Sequence, residues 1–252
     1  MKRYIYKQLL AWKNEKEHKP LILNGARQVG KTYILREFGR NEYKRMAFFS
    51  LDRDQKALEI FNKGGRATDM LMALSAICHE DITPHDTLVV LDEIQNCPKA
   101  LEALKFFCEE TPEIDIVVAG SLLGLSIHSG VSYPVGKVEE LHLYPMTFLE
   151  FLEAMGKTQL VNLLENKNWT VINMLETELI SSLRQYYYVG GMPAAVLAHI
   201  EKKGWKEVRR IQQQIITDYR RDFSKHAPTR EIPRINMVWD SIPAQLAKEN
   251  KK

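Results

Sequence analysis

The chain has 252 residues, 45% hydrophobic and 27% charged, which is the composition of an ordinary globular protein with ample core material, in one large domain or two smaller ones. Its net charge of +3 is too slight to indicate a partner, although residues 200–252 hold 13 Lys/Arg against 7 Asp/Glu; that basic stretch fits either a nucleic-acid contact or a solvated helical face. No apolar run reaches membrane-spanning or signal-peptide length, and Cys78, Cys97 and Cys108 form neither an even set nor a C-x-x-C pair, so we expect a soluble, cytoplasmic protein without membrane partner, disulfide framework or zinc site.

Residues 4–13 carry Tyr4, Ile5, Leu9, Leu10 and Trp12 at amphipathic helical spacing, and a charged connector follows. Pro20-Leu21-Ile22-Leu23-Asn24 reads as a buried strand with Pro at its start. It runs into Gly25-Ala26-Arg27-Gln28-Val29-Gly30-Lys31-Thr32, which fits G-x-x-x-x-G-K-[ST], and then into a helical pattern from Tyr33 to Phe38 that Gly39 stops. A second strand is expected over residues 45–52, and helices over 54–62 and 66–79, split by Gly64-Gly65. Thr87-Leu88-Val89-Val90-Leu91-Asp92-Glu93 has four consecutive aliphatic residues, as a strand buried on both faces requires. Pro98 opens a helix to about Glu110, residues 114–121 make another buried strand, and residues 138–143 a further one that Pro145 stops.

Strands alternating with helices at this spacing predict an α/β three-layer domain with a mainly parallel sheet over residues 1–145. From residue 146 helical periodicity takes over, at 157–166, 171–188, 192–203 and 205–222, with Gly190-Gly191-Met192-Pro193 as a firm break. An all-α second domain is expected over 146–230.

The loop pattern has a physical reason. Gly25 and Gly30 allow tight turns and close approach to oxygen atoms, and the loop amides with the helix start form an anion site. Lys31 adds a mobile positive charge for the outer phosphates, and the Thr32 hydroxyl can coordinate Mg²⁺. The whole stretch from Gly25 to Thr32 and the adjoining Tyr33 is therefore the expected binding segment for a nucleoside triphosphate. Ligands collect at the C-terminal edge of parallel sheets, and the loop, Asp92-Glu93 and Ser121 each follow a strand end. Asp92 is expected to hold the metal with Thr32, while Glu93 polarises a water for attack on the γ-phosphate. Ser121 either bonds the γ-phosphate or the water, or caps a helix starting at Leu122; the two are not exclusive. Candidates for an additional cation are Arg27, Lys137, Arg184, Arg209, Arg210, Arg220 and Arg221, with Arg184 the best guess in the helical domain. Arg27 is read as pointing toward a neighbouring element, Arg3 as approaching the base, and Asp218, Asp222 and His226 as structural or surface residues.

The loop, Leu91-Asp92-Glu93-Ile94-Gln95, Ala119-Gly120-Ser121, Leu143-Tyr144-Pro145-Met146-Thr147-Phe148-Leu149-Glu150-Phe151 and Gly190-Gly191-Met192-Pro193 occur in that order. Together they resemble the prokaryotic AAA-like P-loop ATPases whose C-terminal half is a domain of unknown function. The resemblance implies an AAA-type core with a helical lid, sheet order 5-1-4-3-2, ATP with Mg²⁺, and the roles given above for Lys31, Thr32, Asp92 and Glu93. Ser121 falls where many AAA proteins carry a sensor Asn. Residues 231–252 look like the incomplete start of a winged helix, as in a truncated chain.

The expected function is hydrolysis of ATP to ADP and phosphate, coupled to movement of the helical domain. Two rivals stay open: a nucleotide-gated DNA-binding or DNA-processing protein, and an ATP-binding switch or scaffold with slow turnover. A homo-oligomer also stays open as a partner. No N-K-x-D stretch follows the loop, which argues against a GTPase.

Overall fold

The computed structural model describes residues 1–121, 133–227 and 229–246, with the side chains of 224–226 and 246 left aside. The chain opens with α1 (Ile5–Asn14), β1 (Leu21–Gly25), α2 (Lys31–Glu42) and β2 (Arg45–Ser50). It continues through α3 (Gln55–Lys63), α4 (Ala67–Cys78), β3 (Thr87–Asp92), a short 3₁₀ turn at Ile94–Asn96, α5 (Pro98–Glu110), β4 (Asp115–Ser121) and β5 (Glu139–Leu143). The five strands form one parallel sheet in the order β2-β3-β4-β1-β5, which read from the other edge is 5-1-4-3-2.

Strand parity explains both layers. Successive strand residues face opposite sides. Leu21 and Leu23, Leu88 and Val90, and Val117 and Ala119 pack with Ile5, Leu9 and Trp12 of α1 and Ile34, Leu35 and Phe38 of α2. Ile22, Val89, Leu91, Ile116 and Val118 meet Phe61, Leu74, Leu104 and Phe107 of α3–α5 on the other face. Every residue of β1, β3 and β4 is buried, so the aliphatic runs are those of a sheet covered on both sides.

A helical region follows: α6 (Phe148–Ala154), α7 (Thr158–Glu165), α8 (Trp169–Met174), α9 (Glu176–Val189), α10 (Pro193–Ile200), α11 (Trp205–His226) and α12 (Ile232–Leu246). The single helix expected over 171–188 is two helices, because Leu175 leaves helical geometry between α8 and α9. The Gly190-Gly191 break has a packing cause: the Met146 amide donates to the Gly191 carbonyl at 2.7 Å, and a Cβ on Gly191 would sit 2.3 Å from the Met146 carbonyl oxygen. The segment read as the start of a winged helix is helical as α12 up to Leu246, and α12 packs on α11 through Trp239. Residues 247–252 lie outside the described residues, as does the helix expected from Leu122.

Two ion pairs join the helical region to the sheet, the first buried on both sides and the second with a buried carboxylate and a half-exposed guanidinium. Arg3, just before α1, donates from Nε to Glu150 Oε1 (3.1 Å), from Nη1 to the Val29 carbonyl (3.1 Å) and from Nη2 to the Tyr144 carbonyl (2.5 Å). Glu150 also closes a capping box with Thr147 at the start of α6. The second pair, Arg27 with Asp222, belongs to the site described next.

Candidate phosphate-loop site

The register aligns the strand ends: Gly25 of β1 stands beside Ser121 of β4 and Leu143 of β5, and Asp92 ends β3. Parity then decides direction. Asp92 has the parity of Leu88 and Val90, which face α2, so its carboxylate meets the first turn of that helix. Thr32 Oγ1 donates to Asp92 Oδ2 at 2.7 Å.

The loop residues adopt the backbone such a cradle requires. Gly30, at the N-cap of α2, has φ +101°, and Gln28 has φ +62°. No side chain among the described residues caps the start of α2, and the first amides of a helix have no intrahelical acceptor. The need for glycine at position 25 comes from the neighbouring strand rather than from a ligand: a Cβ there would lie 2.5 Å from the Leu143 carbonyl oxygen.

Lys31 is 8% exposed, and its ammonium donates to the carbonyls of Gly25 (2.9 Å) and Ala26 (3.0 Å). Burial lowers its pKa, against the opposing pull of Glu93, Asp92 and Asp222. Asp92, 4% exposed, is pushed the other way: burial raises its pKa, and the bond from Thr32 works against that rise. Glu93 leaves the strand in left-handed conformation (φ +57°); its amide donates to Asp92 Oδ1 at 3.1 Å and its carboxylate accepts from Gln95. Ser121 is buried and, with Gly25, Ala26, Arg27, His142, Tyr144, Tyr219 and Asp222, lines a cavity of about 410 Å³. Val29 is fully buried in the core below the loop, and Tyr33 is exposed on α2.

A hydroxyl and a carboxylate 2.7 Å apart are hard oxygen donors that fit Mg²⁺ alongside waters and phosphate oxygens. The described residues hold no group of three His, Cys, Asp or Glu that could bind a metal unaided.

The candidate cations separate clearly. Arg27 pairs with the buried Asp222 of α11, toward a neighbouring element. Lys137 pairs with Glu109 (2.9 Å), Arg210 with Glu207 (2.7 Å), Arg220 with Asp240 and Arg221 with Asp218 (3.7 Å), while Arg209 bonds Gln212. Arg184 lines a groove with Thr177, Ile180, Tyr188 and Trp205, none of which belongs to the loop. Arg3 is engaged with two carbonyls and Glu150 at the joint between loop and helices, which corrects its reading as a contact to the base. Asp218 and Asp222, read from sequence as structural or surface residues, touch the loop itself. Their i, i+4 spacing places them on one helix face, but spacing does not say what that face meets.

An all-parallel 2-3-4-1-5 sheet with a glycine loop, a buried lysine and a Thr–Asp pair at its C-terminal edge defines a P-loop nucleotide-binding ATPase fold. Residues 17–152, more than half of the chain, match the family model described as an AAA domain, and the chain belongs to that family. Residues 180–252 match a domain of unknown function (DUF8612).

Among solved structures the chain is similar to a Walker-type ATPase of Pyrococcus abyssi (TM-score 0.55, 16% identity, covering 90% of this chain and 76% of that one). It is also similar to the Drosophila ORC bound to DNA (0.48, 15%, 83% and 65%) and to Cdc6p from Pyrobaculum aerophilum (0.41, 18%, 62% and 50%). At these identities the likeness is one of fold, and the first of the three carries it. No curated protein sequence matches the chain.

Proposed function

We propose that this protein binds ATP with Mg²⁺ on the loop from Gly25 to Thr32 and hydrolyses it to ADP and phosphate, and that the cycle moves the helical region. The observation that carries this reading is the Thr32–Asp92 bond beside the buried Lys31. Lys31 exchanges the Gly25 and Ala26 carbonyls for outer phosphate oxygens, and the loop amides with those of Lys31, Thr32 and Tyr33 take the remaining charge. Thr32 and Asp92 would hold the metal, which would supply positive charge against that developing on the phosphates. Glu93, released from Gln95, orients the attacking water and accepts its proton. Ser121, at the level of Gly25 on the adjacent strand, bonds the terminal phosphate or that water.

The basic residues of α11 and α12 are largely spent on local pairs with Glu207, Asp218, Glu231 and Asp240, which supports the solvated-face reading over a DNA contact. The three cysteines are free, as a reducing cytoplasm would leave them, and no described helix is long and apolar enough to cross a membrane.

Titration calorimetry of ATP and GTP with Mg²⁺ tests the pocket: Lys31→Ala should lose about 100-fold in affinity, the cost of a charge-assisted phosphate contact of about 3 kcal/mol. Phosphate release should vanish in Glu93→Gln while ATP binding survives. Wild-type protein that leaves ATP unbound at millimolar concentration would end this reading.

A further inference from the structure

Helix α11 reaches the phosphate loop with three side chains from two adjacent turns. Tyr219 Oη donates to the Arg27 carbonyl at 2.9 Å, Gln28 Nε2 donates to Asp218 Oδ2 at 2.9 Å, and the Arg27 guanidinium pairs with Asp222. Asp222 is 5% exposed, so this carboxylate is held out of solvent at the edge of the loop. Its charge reaches the cradle: Asp222 is among the carboxylates that favour the charged form of the Lys31 ammonium against the effect of burial. Trp239 of α12 stacks on the same Tyr219 (centroids 5.8 Å apart, 19° between planes) and meets Phe223 edge-on at 5.1 Å. Arg220 and Asp240 add an ion pair between the two helices.

The electrostatics of this contact oppose those of a phosphate site. A polyphosphate brings several negative charges to a loop whose own Arg27 is already neutralised by the buried Asp222 carboxylate of α11. Releasing Asp222 would remove a repulsive charge and free a guanidinium at once, and both changes favour the anion.

We propose that α11 is a latch on the phosphate loop: the Asp222–Arg27 pair and its neighbours hold the C-terminal helices down and oppose triphosphate binding, and filling the loop loosens α11 together with the α12 it carries. This rests on the ATP reading above and gives it a direction. Coupling between two equilibria is reciprocal, so whatever factor the docked helix takes from ATP affinity, bound ATP takes from helix docking.

The test pairs calorimetry of Mg²⁺–ATP with amide hydrogen exchange on the wild type, Asp222→Asn and Tyr219→Phe. Asp222→Asn should bind ATP at least about fivefold more tightly, the lower end of ordinary allosteric couplings. Exchange in peptides covering residues 211–223 should rise when ATP is added to the wild type, and should already be high in Tyr219→Phe and Asp222→Asn without nucleotide. Unchanged or weaker ATP binding in Asp222→Asn, or protection of α11 by ATP in the wild type, overturns the latch. Should Asp222→Asn fail to fold, the wild-type exchange and Tyr219→Phe decide between the same outcomes. Absence of ATP binding in wild type and variants alike brings down the nucleotide reading and the latch with it, whereas equal affinities bring down the latch alone.

Discussion

The sheet and the helical region are each held together by apolar packing, while the joints described between them are polar. In the sheet, side chains of β1, β3 and β4 find apolar neighbours on both faces, so Phe38, Phe49, Phe61 and Phe107 are fully buried. The helical region gathers smaller clusters around Phe151 and Leu152, and leaves Trp169, Met174, Tyr187 and Trp205 exposed. Between them the ties singled out by the geometry are polar: Arg3 with Glu150, Arg27 with Asp222, Tyr219 with the Arg27 carbonyl. Apolar packing is non-directional and indifferent to anions. A bonded charge pair is directional and can be outcompeted by another charge, so the joint between the halves responds to ions where their interiors do not.

The hardest test of this contrast compares two buried phenylalanines. Phe49→Ala and Phe151→Ala should each cost about 3–5 kcal/mol in urea unfolding. In Phe151→Ala, however, hydrogen exchange of the loop peptide should stay near wild type while α6, α9 and α10 open; equal opening of loop and helices would erase the distinction between the halves. The seam follows, with an effect of up to the same size. Glu150→Ala leaves the Arg3 guanidinium buried without its carboxylate, and removing one member of such a pair costs about 3–5 kcal/mol when fully buried. Thermal unfolding should reveal it, with Arg3→Met/Glu150→Met recovering part of the loss; a lone Glu150→Ala that melts like the wild type would remove this joint from the account.

The smallest expected effect is a pH dependence inside the sheet half. His18 Nε2 lies 2.9 Å from Asp115 Oδ1, and that hydrogen bond raises the histidine pKa above 6.5, against the opposing effect of burial. A histidine whose folded pKa is raised contributes stability that is fully present below pH 6.5 and is lost as pH rises through the folded value. Denaturant midpoints should therefore fall on going alkaline through that window, and His18→Gln should flatten the curve. A wild-type midpoint that climbs over the same range would reverse the assigned sign.

Much of this is legible in the sequence. The G-x-x-x-x-G-K-[ST] stretch is eight consecutive residues between a strand and a helix, and the aliphatic runs of β3 and β4 announce strands covered on both faces. Alternation along a strand groups Asp92 with Leu88 and Val90, but β3 is buried on both faces, so only the packing shows that this side meets α2. Arg3 escaped the reading because nothing local distinguishes an arginine bound for a ligand from one bound for three buried acceptors. Asp218 and Asp222 escaped it for a similar reason, since a helix face bears the same i, i+4 spacing whether it meets water or a loop 190 residues earlier in the chain.

The amino-acid sequence alone determined the strands, most of the helices and the phosphate loop, because the forces behind them act over a few residues: backbone sterics at glycine, alternation along strands, periodicity along helices. Only the tertiary structure decided what α11 leans on and which carboxylate answers Arg27. Those contacts join distant segments, and their partners are selected by where the folded halves meet rather than by any local preference of the chain.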